Sequence, residues 1–309
     1  MSARVTFATY GDDPGITADD QVLRDALLAR DIEVQAAAWD DPLADWSTID
    51  LCLLRSTWDY HQRCEEFLVW AHHVAAVTRL WNPLPVVRWN AHKRYLRDLA
   101  ANDVATVPTR WLNAGSCADL PALLASDGWT RAIIKPAVGA SAEGVALVTR
   151  ELITEGQAHL ESLLRRGDVM VQPFLASVRS TGEHSLIVID GEVTHAWRRH
   201  SPLDGTDEDV TRVAPEPNEI ALAHAALAAA PGPVLYARVD MIHDQGGHPL
   251  LSELELIEPY LALQLAPDAT AQLADAIVRT VGSGRVTASA VHRSTFGRTP
   301  QRRNFEICS

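Results

Sequence analysis

The sequence predicts an α/β protein that opens as a Rossmann-like, parallel-sheet lobe and continues as α+β structure. Two observations predict it: strand-like and helix-like periodicities alternate through the first lobe, and short strands then follow closely, one pair joined by a hairpin turn. Length agrees, because 309 residues exceed what one compact core usually organises and favour two or three lobes with clefts between them.

The first strand runs from Arg4 to Ala8, followed by a loop rich in Asp and Gly and a helix with Val22, Leu23, Ala26 and Leu27 on one face. A second strand spans Ile32 to Ala38. Ile49 to Leu54 is the apolar run of a strand buried on both faces of a parallel sheet, and it ends in Arg55, Ser56, Thr57, Trp58, Asp59 and Tyr60. Open α/β sheets bind ligands at that end of their strands, so these six are candidate substrate contacts; alternatively, Trp58 and Tyr60 cover the sheet edge. A helix at Glu65 to Val77 and the punctuation Trp81-Asn82-Pro83-Leu84-Pro85 close this lobe.

Beyond it, a helix from about Ala91 to Asn102 carries Lys93 in its first turn. Strands are expected at Arg110 to Leu112, Arg131 to Lys135, Val145 to Thr149, Val169 to Pro173, a hairpin from Leu186 to Ala196 turning at Asp190-Gly191, Tyr236 to His243, and Leu250 to Leu256. A mostly antiparallel sheet fits them, with the alanine-rich helix Asn218 to Ala230 packed against it. The tail from Gly282 loses periodicity, is basic, and reads as a mobile terminus.

Composition removes several function classes. A net charge of −13 repels a phosphate backbone, so nucleic acid is not an expected partner. No apolar run approaches the roughly 20 residues of a membrane span, and the N-terminus lacks a signal-peptide pattern, so a cytoplasmic protein without membrane contact is expected. The four cysteines form no C-x-x-C pair and suggest neither a disulfide framework nor a thiolate zinc site. Lysine occurs only twice, at Lys93 and Lys135, among 27 basic residues. A general preference for arginine explains the scarcity but not the survivors. These two positions are expected to need a compact ammonium that guanidinium cannot replace, as phosphate contacts in a closed site do.

Three further elements carry chemistry. Asp240 lies on the strand Tyr236 to His243, and Glu253 and Glu255 share a face of the next strand by its period of two; a hairpin through His243 to His248 would bring the three together. Acids so placed repel unless a cation joins them, and their hard oxygens suit Mg²⁺ bridging phosphates; the plain alternative is a solvated strand face. Lys135 closes a strand followed by a loop of small residues, Gly139, Ala140, Ser141, Ala142 and Gly144, where backbone N–H groups can approach phosphate oxygens. The loop matches neither a P-loop nor a G-x-G-x-x-G fingerprint. The apolar strand ending in Gln172, Pro173, Phe174 and Leu175 suits an adenine ring, and Glu183 suits ribose hydroxyls.

In this order the elements resemble the ATP-grasp family from about Trp81 to Asp268. The resemblance implies an ATP-grasp fold, with a Rossmann-like lobe over 1–85 followed by two α+β lobes, 86–171 and 172–281, that clamp ATP, and a tail over 282–309. It implies ATP-phosphate contacts for Lys93 and Lys135, a phosphate-covering loop at Gly139 to Gly144, an adenine hinge at Gln172 to Leu175, and two Mg²⁺ ions, or Mn²⁺ in their place, on Asp240, Glu253 and Glu255. Two departures stand out. Glu255 replaces the usual Asn, and Ser185 replaces an arginine that helps hold the transferring phosphoryl group in glutathione synthetases. Arg238, in a motif resembling that of D-alanine ligases, is the candidate replacement; Arg198 and Arg199 are second choices, as catalytic residues or substrate-carboxylate clamps, unless they form an exposed hairpin end.

Arg55 to Tyr60, Trp89 to Leu96 and Glu253 to Pro259 further resemble the small group of cyclo-ligases that form D-cycloserine from O-ureido-D-serine. That implies a carbon–nitrogen ligase acting through an acyl phosphate on a small amino-acid-like carboxylate, in a homo-oligomer. The competing readings are an intermolecular carboxylate–amine ligase, an ATP-grasp kinase and a non-catalytic nucleotide-binding module.

Overall fold

The structure is a computed structural model that describes residues 2–140, 142–200 and 210–282. Strands β1 (Ala3–Thr9), β2 (Ile32–Ala38), β3 (Leu51–Leu54) and β4 (Arg79–Trp81) form a parallel sheet in the order β2-β1-β3-β4. All four residues of β3 are buried, as its apolar run requires of a strand covered on both faces. Helix α1 (Ala18–Leu28) starts at Thr17, whose side chain accepts from the Asp20 N–H, and buries Leu23 and Leu27. Helix α2 (Cys64–Val77) buries Phe67, Ala71 and Val74. Strand β4 is too short for its alternation to show in sequence.

The next two helices correct one expectation. Helix α3 covers Leu84–Asn90 and α4 covers Tyr95–Ala101, so Lys93 lies in the turn between them rather than in a helical first turn. That turn is held by the Lys93 N–H donating to the Ala137 carbonyl at 2.8 Å.

The single antiparallel sheet expected from sequence is two sheets. Strands β5 (Arg110–Leu112), β6 (Ala132–Pro136), β7 (Ala146–Val148) and β8 (Val169–Pro173) pair in the order β5-β8-β6-β7. Helices α5 (Leu120–Asp127) and α6 (Ile153–Leu164) close their core through Leu120, Leu124, Leu160 and Leu164. After α7 (Ser177–Ser180), strands β9 (Glu183–Ile189), β10 (Glu192–Arg199), β11 (Val210–Val213), β12 (Tyr236–His243) and β13 (Pro249–Glu255) form the third sheet, ordered β11-β10-β9-β12-β13. The β9–β10 turn is at Asp190-Gly191, both with positive φ (52° and 86°), the geometry a two-residue hairpin demands. Helix α8 (Pro217–Ala228) covers one face of this sheet through Leu222, Ala223 and Ala226. Helix α9 (Pro267–Gly282) returns to the first lobe, where Leu273 and Ile277 share a core with Leu23 and Leu27. The basic tail beyond Gly282 lies outside the described residues. No helix among the described residues is long and apolar enough to cross a membrane.

Asn82 joins the first and third sheets. It is fully buried; its side-chain amide donates to the carbonyls of Tyr236 (2.9 Å) and Leu256 (2.8 Å), and its carbonyl accepts from the Leu235 N–H at 2.8 Å. Asn82→Ala removes three bonds and strands three buried backbone groups. The expected loss is about 3 kcal/mol in urea unfolding; a change below about 0.5 kcal/mol would show that water replaces the amide.

Candidate active site

A cavity of about 460 Å³ opens between the second and third sheets. It is lined by Lys93, Lys135, Gly139, Ala140 and Ala142, by Gln172, Pro173, Phe174 and Leu175 at the end of β8, and by Glu183, Arg199, Arg238, Asp240, Glu253 and Glu255. Two ammonium groups far apart in sequence thus face the same space as the acids of β12 and β13. Gly144 is not part of the lining; it turns the loop with φ 74°, as Ala142 does with φ 57°. Ser141 lies outside the described residues.

Register explains the acids. Asp240 pairs with Glu253 and Arg238 with Glu255, so the four side chains meet across the β12–β13 hairpin. Arg238 grips Asp240 through Nε (2.9 Å) and Nη2 (2.8 Å) and also donates to Glu255, while Lys93 bridges Glu253 (2.7 Å) and the Gly139 carbonyl (2.6 Å). Ser185 donates to Asp240 at 2.7 Å. These cations take the countercharge role that the sequence reading gave to metal alone, and the oxygens of the three acids are not all gathered within 4.8 Å of one another.

The charges are unevenly satisfied. Burial would raise the Glu253 pKa, but Lys93, Lys135 and Arg238 outweigh it and hold the carboxyl below its ordinary range. Glu255 goes the other way: burial, with Asp240 and Glu253 beside it, pushes it well above that range despite Arg238. Burial pushes Glu258, which also lines the cavity, up to about 8. A buried acid set short of countercharge, made of hard oxygen donors, fits a divalent cation such as Mg²⁺. Lys135 makes no hydrogen bond or ion pair among the described residues, and burial lowers its pKa. An ammonium facing a cavity without a direct partner fits an anionic ligand.

The outer edge of β13 is fixed by two residues of the Trp89 to Leu96 segment to which the sequence assigned no role. The Asn90 side chain donates to the Leu254 carbonyl (2.7 Å) and accepts from the Leu256 N–H (2.9 Å), and the Tyr95 hydroxyl accepts from the Leu254 N–H (2.9 Å). Together they act as a short substitute strand beside Glu253 and Glu255. Nothing in α3 and α4 signals a partner so distant in sequence. Glu258 had a signal, being a third acid just past Glu253 and Glu255.

Several candidates are rearranged. Glu183 has both oxygens engaged, by Arg199 (2.9 Å) and Ser252 (2.9 Å), which ties it to the sheet. Alternation along β10 puts Arg199 on the cavity, while Arg198 is not in its lining. Of Arg55 to Tyr60, only Tyr60 lines the cavity. Arg55 is buried against Asp20 at 2.7 Å and donates to the Pro259 carbonyl at 3.3 Å. Ser56 and Thr57 are buried, with hydroxyls that find no partner among the described residues. Trp58 packs on Tyr10, and Asp59 accepts from the Trp39 indole (2.8 Å) and Arg63 (2.9 Å). The loop after β6 reaches the first lobe through Glu143, whose carboxylate lies 2.9 Å from His61 Nε2, while His61 Nδ1 lies 3.0 Å from the Trp58 carbonyl.

Comparison with known proteins decides the family. Residues 5–82 match the model of the D-cycloserine synthetase DcsG N-terminal domain. The chain is 35% identical over 275 residues to the cycloserine biosynthesis protein DcsG of Streptomyces lavendulae, covering 82% of this chain and 91% of that protein. The chain belongs to the DcsG family of ATP-grasp ligases. A crystal structure of D-cycloserine synthetase DcsG superposes with a TM-score of 0.84 at 31% identity, over 90% of this chain and all of that one (100%). The fold is shared with a RimK-domain ATP-grasp protein from Sphaerobacter thermophilus (TM-score 0.67, 18% identity, 89% of this chain and 100% of that one). It is shared too with the ATP complex of D-alanine–D-alanine ligase from Bacillus anthracis (TM-score 0.61, 15% identity, 91% and 97%). As a family member, the chain is an ATP-dependent carbon–nitrogen ligase.

Proposed function

We propose that the chain closes O-ureido-D-serine into D-cycloserine, with ATP and Mg²⁺. The observation that carries the reading is the convergence of Lys93, Lys135, Arg238 and the acids of β12 and β13 on one cavity; the substrate comes from the relative of 35% identity, named for cycloserine biosynthesis. The substrate carboxylate attacks the γ-phosphorus, the β–γ bridging bond breaks, and ADP leaves. The nitrogen bonded to the side-chain oxygen then attacks the acyl carbon, loses its proton and displaces phosphate, closing the ring; water then cleaves the N-carbamoyl bond, releasing carbamate as carbon dioxide and ammonia, to complete D-cycloserine.

Lys135 and Lys93 would hold phosphate oxygens, and Arg238 would stabilise the charge moving onto the acyl phosphate and its tetrahedral successor. Asp240, Glu253 and Glu255 would hold Mg²⁺, which when bound neutralises the polyphosphate. The loop over 139–144 would exclude water that otherwise hydrolyses the acyl phosphate. Tyr60, with Arg55, Ser56 and Thr57 behind it, would shape the amino-acid end.

The test is ADP release from the purified chain with O-ureido-D-serine as the sole amino acid. One ADP per D-cycloserine, identified by mass, is expected. ADP formation that waits for a second amine, with a product mass equal to the condensed pair, would replace cyclisation by intermolecular ligation. Hydroxylamine should trap a hydroxamate; failure to do so would favour a kinase.

A further inference from the structure

His184, Glu219 and His243 meet on the face of the third sheet turned away from the nucleotide cavity. Alternation along the strands separates the two faces: Arg238 and Asp240 line the cavity, whereas Leu186, Val239 and Met241 pack with Leu222 and Ala223 of α8. His184 and His243 lie on the α8 side, and α8 brings Glu219 to them. His184 Nδ1 is 2.7 Å and His243 Nε2 is 3.0 Å from one oxygen, Glu219 Oε1. The ligand atoms of all three lie within 4.8 Å of one another, and the ring centroids are 4.9 Å apart. None of the three lines the cavity.

The carboxylate is fixed in place. Glu219 is fully buried at the start of α8, and its Oε2 accepts from the Glu216 N–H at 2.8 Å within a capping box. Burial would raise its pKa, but the His184 hydrogen bond, the Glu216 N–H and both imidazoles outweigh it, so Glu219 is held below the ordinary carboxylate range. The helix cap is complete without Oε1, which is left to two imidazoles. His243 Nδ1, on the far side of its ring from Glu219, is buried without a partner among the described residues.

We infer that His184, Glu219 and His243 form a binding site for one divalent transition-metal ion, with Zn²⁺ the best-matched cation, separate from the nucleotide site. Two imidazoles, borderline nitrogen ligands, beside a single carboxylate select such an ion over Mg²⁺. Metal–ligand distances near 2.1 Å set tetrahedral donors roughly 3.4 Å apart, so the ion enters if the 2.7 and 3.0 Å contacts on Glu219 Oε1 open by roughly half an ångström. Each ring ligates as a neutral tautomer protonated on its far nitrogen, and water completes the shell. The ion ties α8 to β9 and β12, the strands that carry Ser185, Arg238 and Asp240, which makes it a structural staple behind the reaction centre.

The test uses the full-length chain, stripped by chelator and kept in excess Mg²⁺ so that the cavity acids are competed. Titration with Co²⁺ alone should show one equivalent bound, with visible ligand-field absorption and two exchangeable, paramagnetically shifted imidazole N–H signals in the proton spectrum. Zn²⁺ should displace it and raise Tm by about 5 °C at saturation. His184→Asn and His243→Gln should each weaken Co²⁺ binding by about 100-fold or more. Should either fail to fold, Glu219→Gln, which leaves the ring nitrogens in place, should remove most of the affinity. A wild-type chain that binds no Co²⁺ in excess Mg²⁺, shows no shifted imidazole signals, or binds as tightly after these substitutions would overturn the site.

Discussion

Lys135→Met is expected to lower kcat/KM for ATP by about 10³-fold, a loss of about 4 kcal/mol in transition-state stabilisation. Methionine keeps the side-chain length and removes only the ammonium. That ammonium faces the cavity without a hydrogen-bond or ion-pair partner among the described residues. Its desolvation is only partly offset by Glu253, Glu183 and Asp240 until an anion arrives, and charge spreading over a transferring phosphoryl group is the strongest demand such a cation can meet. Lys135→Arg should recover less than about a tenth of the activity, because the planar guanidinium needs more room than a compact ammonium at the end of β6. Steady-state kinetics with varied ATP provides the check. A Met variant within about tenfold of wild type would remove Lys135 from phosphate binding.

Glu253→Gln should abolish turnover, with at least about 10³-fold lost from kcat. In the free chain Glu253 pairs with Lys93 at 2.7 Å, so the change also releases Lys93. Metal dependence separates the two effects: if Glu253 holds Mg²⁺, the residual activity should need far more Mg²⁺, and Lys93→Met should show no such shift. Activity within about tenfold of wild type would dismiss Glu253 as a metal ligand. Equal Mg²⁺ requirements in the two variants would assign its effect to the lysine.

What the sequence revealed, and what it did not, follows from the range of each signal. Strands β3 and β6 were legible because a short apolar run ending in a polar residue is a local pattern, and the β12–β13 acids because period two is local too. The lysines stood out by rarity. Splitting the antiparallel strands into two sheets was not legible, since pairing β5 with β8 and β9 with β12 depends on contacts far apart in the chain. The support of β13 by Asn90 and Tyr95 was hidden for the same reason. Arg198 and Arg199 looked equivalent as neighbours, and only the direction of β10 separated them. Arg55 read as a ligand contact because it follows a parallel strand, but Asp20, on a helix an entire βα unit earlier, claims its guanidinium. His184 and His243 carried no motif at all, because Glu219 reaches them from a helix between their strands.

The contact between Glu143 and His61 fastens the loop after β6 to the lobe that holds Tyr60. The same imidazole reaches the Trp58 carbonyl through its other nitrogen, so the contact is anchored within the first lobe. In the proposed mechanism, opening that loop to free spent nucleotide would therefore have to break a contact with a different lobe.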